Sequence, residues 1–91
     1  MAWTIKYTNT AIRELNKLDK NIARSISGYI ESKIACLEDP RMDGKALIGN
    51  LQGLWSYKYK KTYRINCEIQ DDVLTILIVR IGHCTQNIKE Y

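Results

Sequence analysis

The 91-residue chain has one His, one Pro and three Cys, and these scarcities remove whole classes of chemistry. A lone His83 cannot assemble the histidine set of a zinc hydrolase, and no H-E-x-x-H motif occurs. Cys36, Cys67 and Cys84 are odd in number and widely spaced, with no C-x-x-C, so neither a disulfide framework nor a thiolate metal centre is expected. Cys36 and Cys67 read as free thiols acting as small buried hydrophobes. A Gly-rich phosphate loop and a G-x-S-x-G elbow are both missing. No apolar run reaches the roughly 18 residues that would span a membrane. Residues 1–20 mix charges with isolated apolar side chains and lack the apolar block of a signal peptide. A cytoplasmic protein with no metal and no cofactor is the expectation.

What is present suits a small globular protein. Hydrophobic residues make up 45% and charged residues 26%, far from the disordered regime of few apolar residues and high net charge. A chain this short needs most of its apolar residues for one core, so a single domain over 1–91 is predicted. No segment recurs at a fixed period. Fourteen Lys and Arg against ten Asp and Glu leave a net charge of +4. That mild excess is compatible with a nucleic-acid or an acidic-protein partner and selects neither.

The patterning predicts an order of elements. In residues 2–7, Trp3, Ile5 and Tyr7 alternate against Thr4 and Lys6, a short strand. Thr8 or Thr10 can cap a helix with the stripe Ala11, Ile12, Leu15 and Leu18. Asp19 or Asn21 can cap a longer one, whose stripe runs Ile22, Ile26, Tyr29, Ile30, Ile34 and Leu37 and stops at Glu38-Asp39-Pro40. Residues 39–53 carry Gly44, Gly49, Gly53 and the one Pro, and read as a connection. Three strands follow: 54–59, 63–69 and 73–81. The last is apolar on both faces apart from Thr75 and Arg80, as a central strand is. Asp71-Asp72 marks a turn; the turn at Lys60-Lys61-Thr62 lacks the usual Gly or Asn. The fold class is α+β, β-α-α-β-β-β, with a helical hairpin on one face of a largely antiparallel sheet.

Charge placement is the one feature that points to a site. From Ala46 to Asn66 there is no Asp or Glu, while Lys58, Lys60, Lys61 and Arg64 cluster there among Tyr57, Tyr59 and Tyr63. Lys58 and Arg64 are opposite in phase to their strands' aromatics, so both project from the open sheet face if the aromatics meet the helices. Two facing cations repel unless a polyanion occupies that face. The pattern alone fits a solvated face with lysines guarding an edge strand at least as well. His83 after the last strand and the final Tyr91 would not be singled out on physical grounds.

In order and spacing, several short pieces resemble the RelE/ParE superfamily of bacterial type II toxin–antitoxin toxins, specifically the RelE-like branch. They are Asp39-Pro40-Arg41, Lys45-Ala46-Leu47, Gly53-Leu54-Trp55, Tyr63-Arg64, Gln70-Asp71-Asp72 and Ile81-Gly82-His83. The resemblance covers essentially the whole chain and implies the same sandwich. It also implies a toxin neutralised by a cognate RelB-like antitoxin, acidic and partly disordered, with operator DNA met only through that antitoxin. Freed, such a toxin enters the ribosomal A site and cleaves mRNA by attack of a 2′-OH on the adjacent phosphate.

By the same resemblance, Lys58 takes phosphate stabilisation or the base role, Arg64 binds the scissile phosphate, and Tyr91 stacks on or orients a base. Lys45, Lys60 and Lys61 grip RNA. Two departures bear on activity. Lys60-Lys61-Thr62-Tyr63 stands where the family commonly has a Gly-Asp-Tyr hairpin, which bears on how Lys58 and Arg64 are placed. The family also commonly places an arginine after Gly-His or Gly-Lys, where this chain has Gly82-His83-Cys84. Cys84 cannot replace a fixed cation, and the loss of one such donor costs on the order of 100- to 1,000-fold in rate. Protonated His83 partly compensates. The alternatives are a ParE-like poison of DNA gyrase and a degenerate, non-cleaving toxin that acts as co-repressor with its antitoxin.

Overall fold

The computed structural model describes residues 3–83. Strand β1 (Thr4–Tyr7) is preceded by Trp3, whose indole N–H donates to the Leu37 carbonyl at 3.1 Å. Trp3, Ile5 and Tyr7 join the core while Thr4 and Lys6 stay in solvent, the alternation expected of a half-buried strand. Thr8 then ends the strand and starts helix α1 (Asn9–Asn16). Its hydroxyl oxygen accepts from the Ala11 N–H at 3.0 Å and donates to the Val79 carbonyl, also at 3.0 Å. Asp19 caps helix α2 (Lys20–Ser32), accepting from the Asn21 N–H at 3.1 Å.

The apolar stripe continues to Leu37, but α2 ends at Ser32. There the Ser32 hydroxyl donates to the Gly28 carbonyl one turn back, and a separate 3₁₀ turn, Ile34–Cys36, follows. The change of direction brings the Ala35 carbonyl to the Trp3 N–H at 2.8 Å, tying the helical hairpin to the start of the first strand.

The remaining strands are β2 (Lys45–Ala46), β3 (Trp55–Tyr59), β4 (Tyr63–Gln70) and β5 (Thr75–His83). They form one mixed sheet in the order β1-β5-β4-β3-β2, parallel between β1 and β5 and antiparallel elsewhere. β5 is therefore internal, which explains its apolar residues on both faces. It starts later than its sequence suggests: Val73 belongs to a 3₁₀ turn (Asp71–Val73), and Leu74 takes a positive φ of 46° to re-aim the chain. The register also slips, since Asn66 pairs with Arg80 but Cys67 with Ile78, leaving Val79 as an extra residue. This bulge lets Ile76 and Ile78 before it and Ile81 after it all be buried.

The core packs Ile26, Ile30 and Ile34 of the helical side onto Tyr57, Ile65, Cys67, Ile76, Ile78 and Ile81 of the sheet. Burial pushes the Cys67 thiol up to about 12. A proton held by the native state but released by the unfolded chain makes stability fall as pH rises from about 9, the ordinary thiol value, to about 12. The slope from this group approaches about 1.4 kcal/mol per pH unit, and denaturant titrations of Cys67→Ala should be flatter over that window. Cys67 is buried as its sequence suggests, but Cys36 is exposed at the end of the 3₁₀ turn. Under native conditions a thiol reagent should therefore label Cys36 and spare Cys67, which peptide mapping reads directly.

Tyr57 also fixes the connection between helices and sheet. Its buried hydroxyl donates to the Pro40 carbonyl, and its ring lies against Gly44, where a Cβ would come within 3.1 Å of the ring. A side chain at position 44 would force the connection away from the sheet. Arg41 adds a second tie, lying 5.9 Å from the centroid of the Trp55 ring and bridging Asp71 with contacts of 3.1 and 2.5 Å. This guanidinium holds the Asp71 carboxyl below its ordinary range.

Candidate nucleic-acid interface

The β3–β4 hairpin is in register about Lys58 and Arg64, which face each other directly across the two strands. One step along, Ser56 pairs with Asn66, and on the outer side with Lys45 of β2. Directly paired residues share a sheet face, so Lys45, Ser56, Lys58, Arg64 and Asn66 stand on one side. Trp55, Tyr57, Tyr59 and Tyr63 have the opposite phase and pack on the core, with the Tyr59 ring 5.3 Å from that of Tyr29 on α2. The aromatics are thus the floor that holds the cations outward, not a base-stacking platform.

With the clamped connection, this face forms a groove of about 650 Å³, lined in part by Asp43, Lys45, Ile48, Ser56, Lys58 and Arg64. Its size lies within the range of ligand clefts. Ile48 is 79% exposed, a large apolar side chain standing at the rim of a cationic groove. Sequence reasoning gives no sign of Asp43 or Ile48, because a two-residue β2 is too short to produce alternation.

At the tip of the hairpin, Lys60 and Lys61 are exposed and both take positive φ, 53° and 62°. The Thr62 N–H closes the turn on the Tyr59 carbonyl at 3.2 Å. These are the backbone signs of a type I′ hairpin turn, for which Asn-Gly is the favoured pair. Two lysines occupy it instead, one with its ammonium 5.5 Å from the Tyr59 ring centroid.

The structure does not gather every predicted residue on this face. His83 pairs in register with Tyr63, their rings 4.7 Å apart, on the aromatic side; the residue opposite Arg64 is Gly82. Tyr91 and Cys84 lie outside the described residues. Arg80 sits opposite Asn66, and its guanidinium is held by Glu14 of α1, with Nε 3.1 and 3.2 Å from the two carboxylate oxygens. Among the described residues no group of His, Cys, Asp and Glu is placed to hold a metal, and no helix is long and apolar enough to cross a membrane.

The family model for the ParE toxin of type II toxin–antitoxin systems, parDE, matches residues 5–88. Toxin RelG of Mycobacterium tuberculosis is 31% identical over 83 residues, covering 91% of this chain and 92% of that protein. The crystal structure of the toxin–antitoxin complex RelBE2 from the same organism contains a chain that superposes with a TM-score of 0.83 at 30% identity, over 91% of this chain and 92% of that one. The isolated RelE toxin of E. coli shares the fold with a TM-score of 0.68 at 14% identity, covering 98% of each chain.

Proposed function

Because the chain belongs to the ParE toxin family of type II toxin–antitoxin systems, within the RelE/ParE superfamily, we propose that it is a ribosome-dependent mRNA endoribonuclease restrained by a RelB-like antitoxin. The observation that carries this reading is the cross-strand pair Lys58–Arg64, which lines one groove together with Lys45. Cleavage requires a base for the 2′-OH proton, cations for the charge that grows on phosphorus, and a proton for the departing 5′-oxygen. As the 2′-oxygen bonds to phosphorus, the P–O5′ bond breaks, leaving a 2′,3′-cyclic phosphate and a 5′-OH.

In this assignment Arg64 offers its planar fork to the scissile phosphate, and Lys58 stabilises the same charge or takes the proton. Lys45, Lys60 and Lys61 hold the flanking backbone by charge. Tyr91 stacks on or orients a base. His83, one residue from the Gly82 that faces Arg64 but stacked on Tyr63 on the aromatic side, reaches the site only by leaving that ring. The same cationic face suits an acidic antitoxin segment, and RelBE2 is a complex of toxin with antitoxin. Ribosome and message place the activity in the cytoplasm, with operator DNA reached only through the antitoxin.

Purified protein added to translating ribosomes with a mapped message should give codon-positioned cuts ending in cyclic phosphate. The ParE family match and the Cys84 position favour one other reading, a gyrase poison. Inhibited supercoiling with an intact message would replace the first reading by the second. No cleavage, no gyrase effect and no growth arrest would leave a co-repressor.

A further inference from the structure

The Glu14–Arg80 pair sits at a break in the sheet. β1 ends at Tyr7, opposite Ile78, so among the described residues no strand lies beside the outer edge of β5 beyond Ile78. Glu14 reaches that edge from α1. Its Oε1 accepts from the Ile81 backbone N–H at 2.9 Å, while Arg80 donates to both carboxylate oxygens and brings a terminal nitrogen to 3.0 Å from Oε2. One carboxylate thus does two jobs: it satisfies a strand edge and it restrains a guanidinium.

Those two jobs are separable. The Arg80 side chain is 52% exposed, and an ion pair so exposed to water contributes little, so an incoming phosphate can replace the carboxylate at small cost. Glu14 is not orphaned by the exchange, because it keeps the Ile81 N–H and is itself partly solvated. Arg80 lies opposite Asn66, on the same sheet face as Arg64, and the position opposite Arg64 is Gly82, which has no side chain to obstruct the approach. Among the described residues Glu14 is the carboxylate that holds Arg80, and a nucleic-acid phosphate offers the same kind of acceptor.

We propose that Arg80 is a third phosphate-binding cation of the Lys58–Arg64 face, held by Glu14 until RNA displaces the carboxylate. This rests on the endoribonuclease reading and deepens it: the arginine missing at position 84 is partly replaced from within β5. The competing explanation is a structural clamp in which both partners serve the fold alone.

Glu14→Gln keeps an acceptor for the Ile81 N–H and discards the charge that holds Arg80, whereas Arg80→Gln removes the cation. If Arg80 serves RNA, the two substitutions act in opposite directions. Arg80→Gln should cut ribosome-bound message roughly 10-fold more slowly at a near-constant Tm, Glu14→Gln should cut at least as fast as the natural protein, and the double variant should match Arg80→Gln. Losses in both single variants that run parallel to falling Tm would overturn the proposal in favour of the clamp.

A second measurement stands apart from cleavage: binding of an RNA oligonucleotide methylated at its 2′-oxygens, followed against salt. One lost phosphate contact lowers the log–log slope by about 0.7 for single strands, and that drop is expected for Arg80→Gln. If the natural protein leaves messages uncut, the endoribonuclease reading fails while this slope still decides Arg80. An unchanged slope overturns its role.

Discussion

Arg64→Ala should reduce message cleavage by on the order of 100- to 1,000-fold, the loss typical when one donor to a developing oxyanion is removed. On the proposed reading the substitution acts on the chemistry. Arg64 is half-buried on the open face of β4, and the core beneath is built from Tyr57, Ile65 and Cys67, which it leaves untouched. Arg64→Lys should not restore the rate, because an ammonium offers a point charge where a bidentate fork is required.

Lys58→Ala separates charge from stability more sharply. Lys58 is exposed and outside the core, so Tm should stay near that of the natural protein while cleavage falls. Single-turnover cutting of a mapped message on purified ribosomes, with Tm recorded for each variant, measures both. Undiminished cutting by Arg64→Ala would move the reaction off this face altogether.

The phase of the β3–β4 hairpin makes this pair legible in the sequence alone. Aromatics on alternate positions of both strands announce which side meets the helices, and the cations follow on the other side by elimination. The internal position of β5 is equally open to reading, because its largely apolar run suits a strand hydrogen-bonded along both edges. Other features are set by tertiary contact and leave no local trace. α2 stops at Ser32 although its apolar period continues, because the chain must bend for the Ala35 carbonyl to meet Trp3.

β2 has two residues and no period, so the groove wall with Asp43 and Ile48 has no signature in the sequence. The bulge at Val79 and the capture of Arg80 by Glu14, 66 positions away, depend on where β1 happens to end. For the same reason a lone His83 can stand near the site in sequence yet pair with Tyr63 on the aromatic face in space.

The hairpin tip gives the second large effect, with opposite signs on stability and function. Lys60 and Lys61 both sit in the left-handed region, where a side chain with a Cβ costs about 1–2 kcal/mol relative to the ordinary right-handed conformation. Asn tolerates that region and Gly enters it freely, so Lys60→Asn/Lys61→Gly should raise stability by about 2 kcal/mol, or roughly 8–16 °C in Tm for a protein of this size. Removing two adjacent ammonium groups works in the same direction.

Strain of this kind persists where another requirement maintains it, and here the candidate is the charge itself, presented at the exposed turn of the β3–β4 hairpin. If the lysines hold RNA, the stabilised variant should lose about 1.4 in the log–log salt slope of single-stranded RNA binding, two contacts at about 0.7 each. It should also arrest growth less when its antitoxin is withdrawn, despite being the more stable protein. The single variant Lys61→Gly should fall between the two in both measurements. A variant that gains Tm and keeps full RNA affinity would show that the positive turn serves only to keep the hairpin edge soluble, and would confine recognition to Lys45, Lys58 and Arg64.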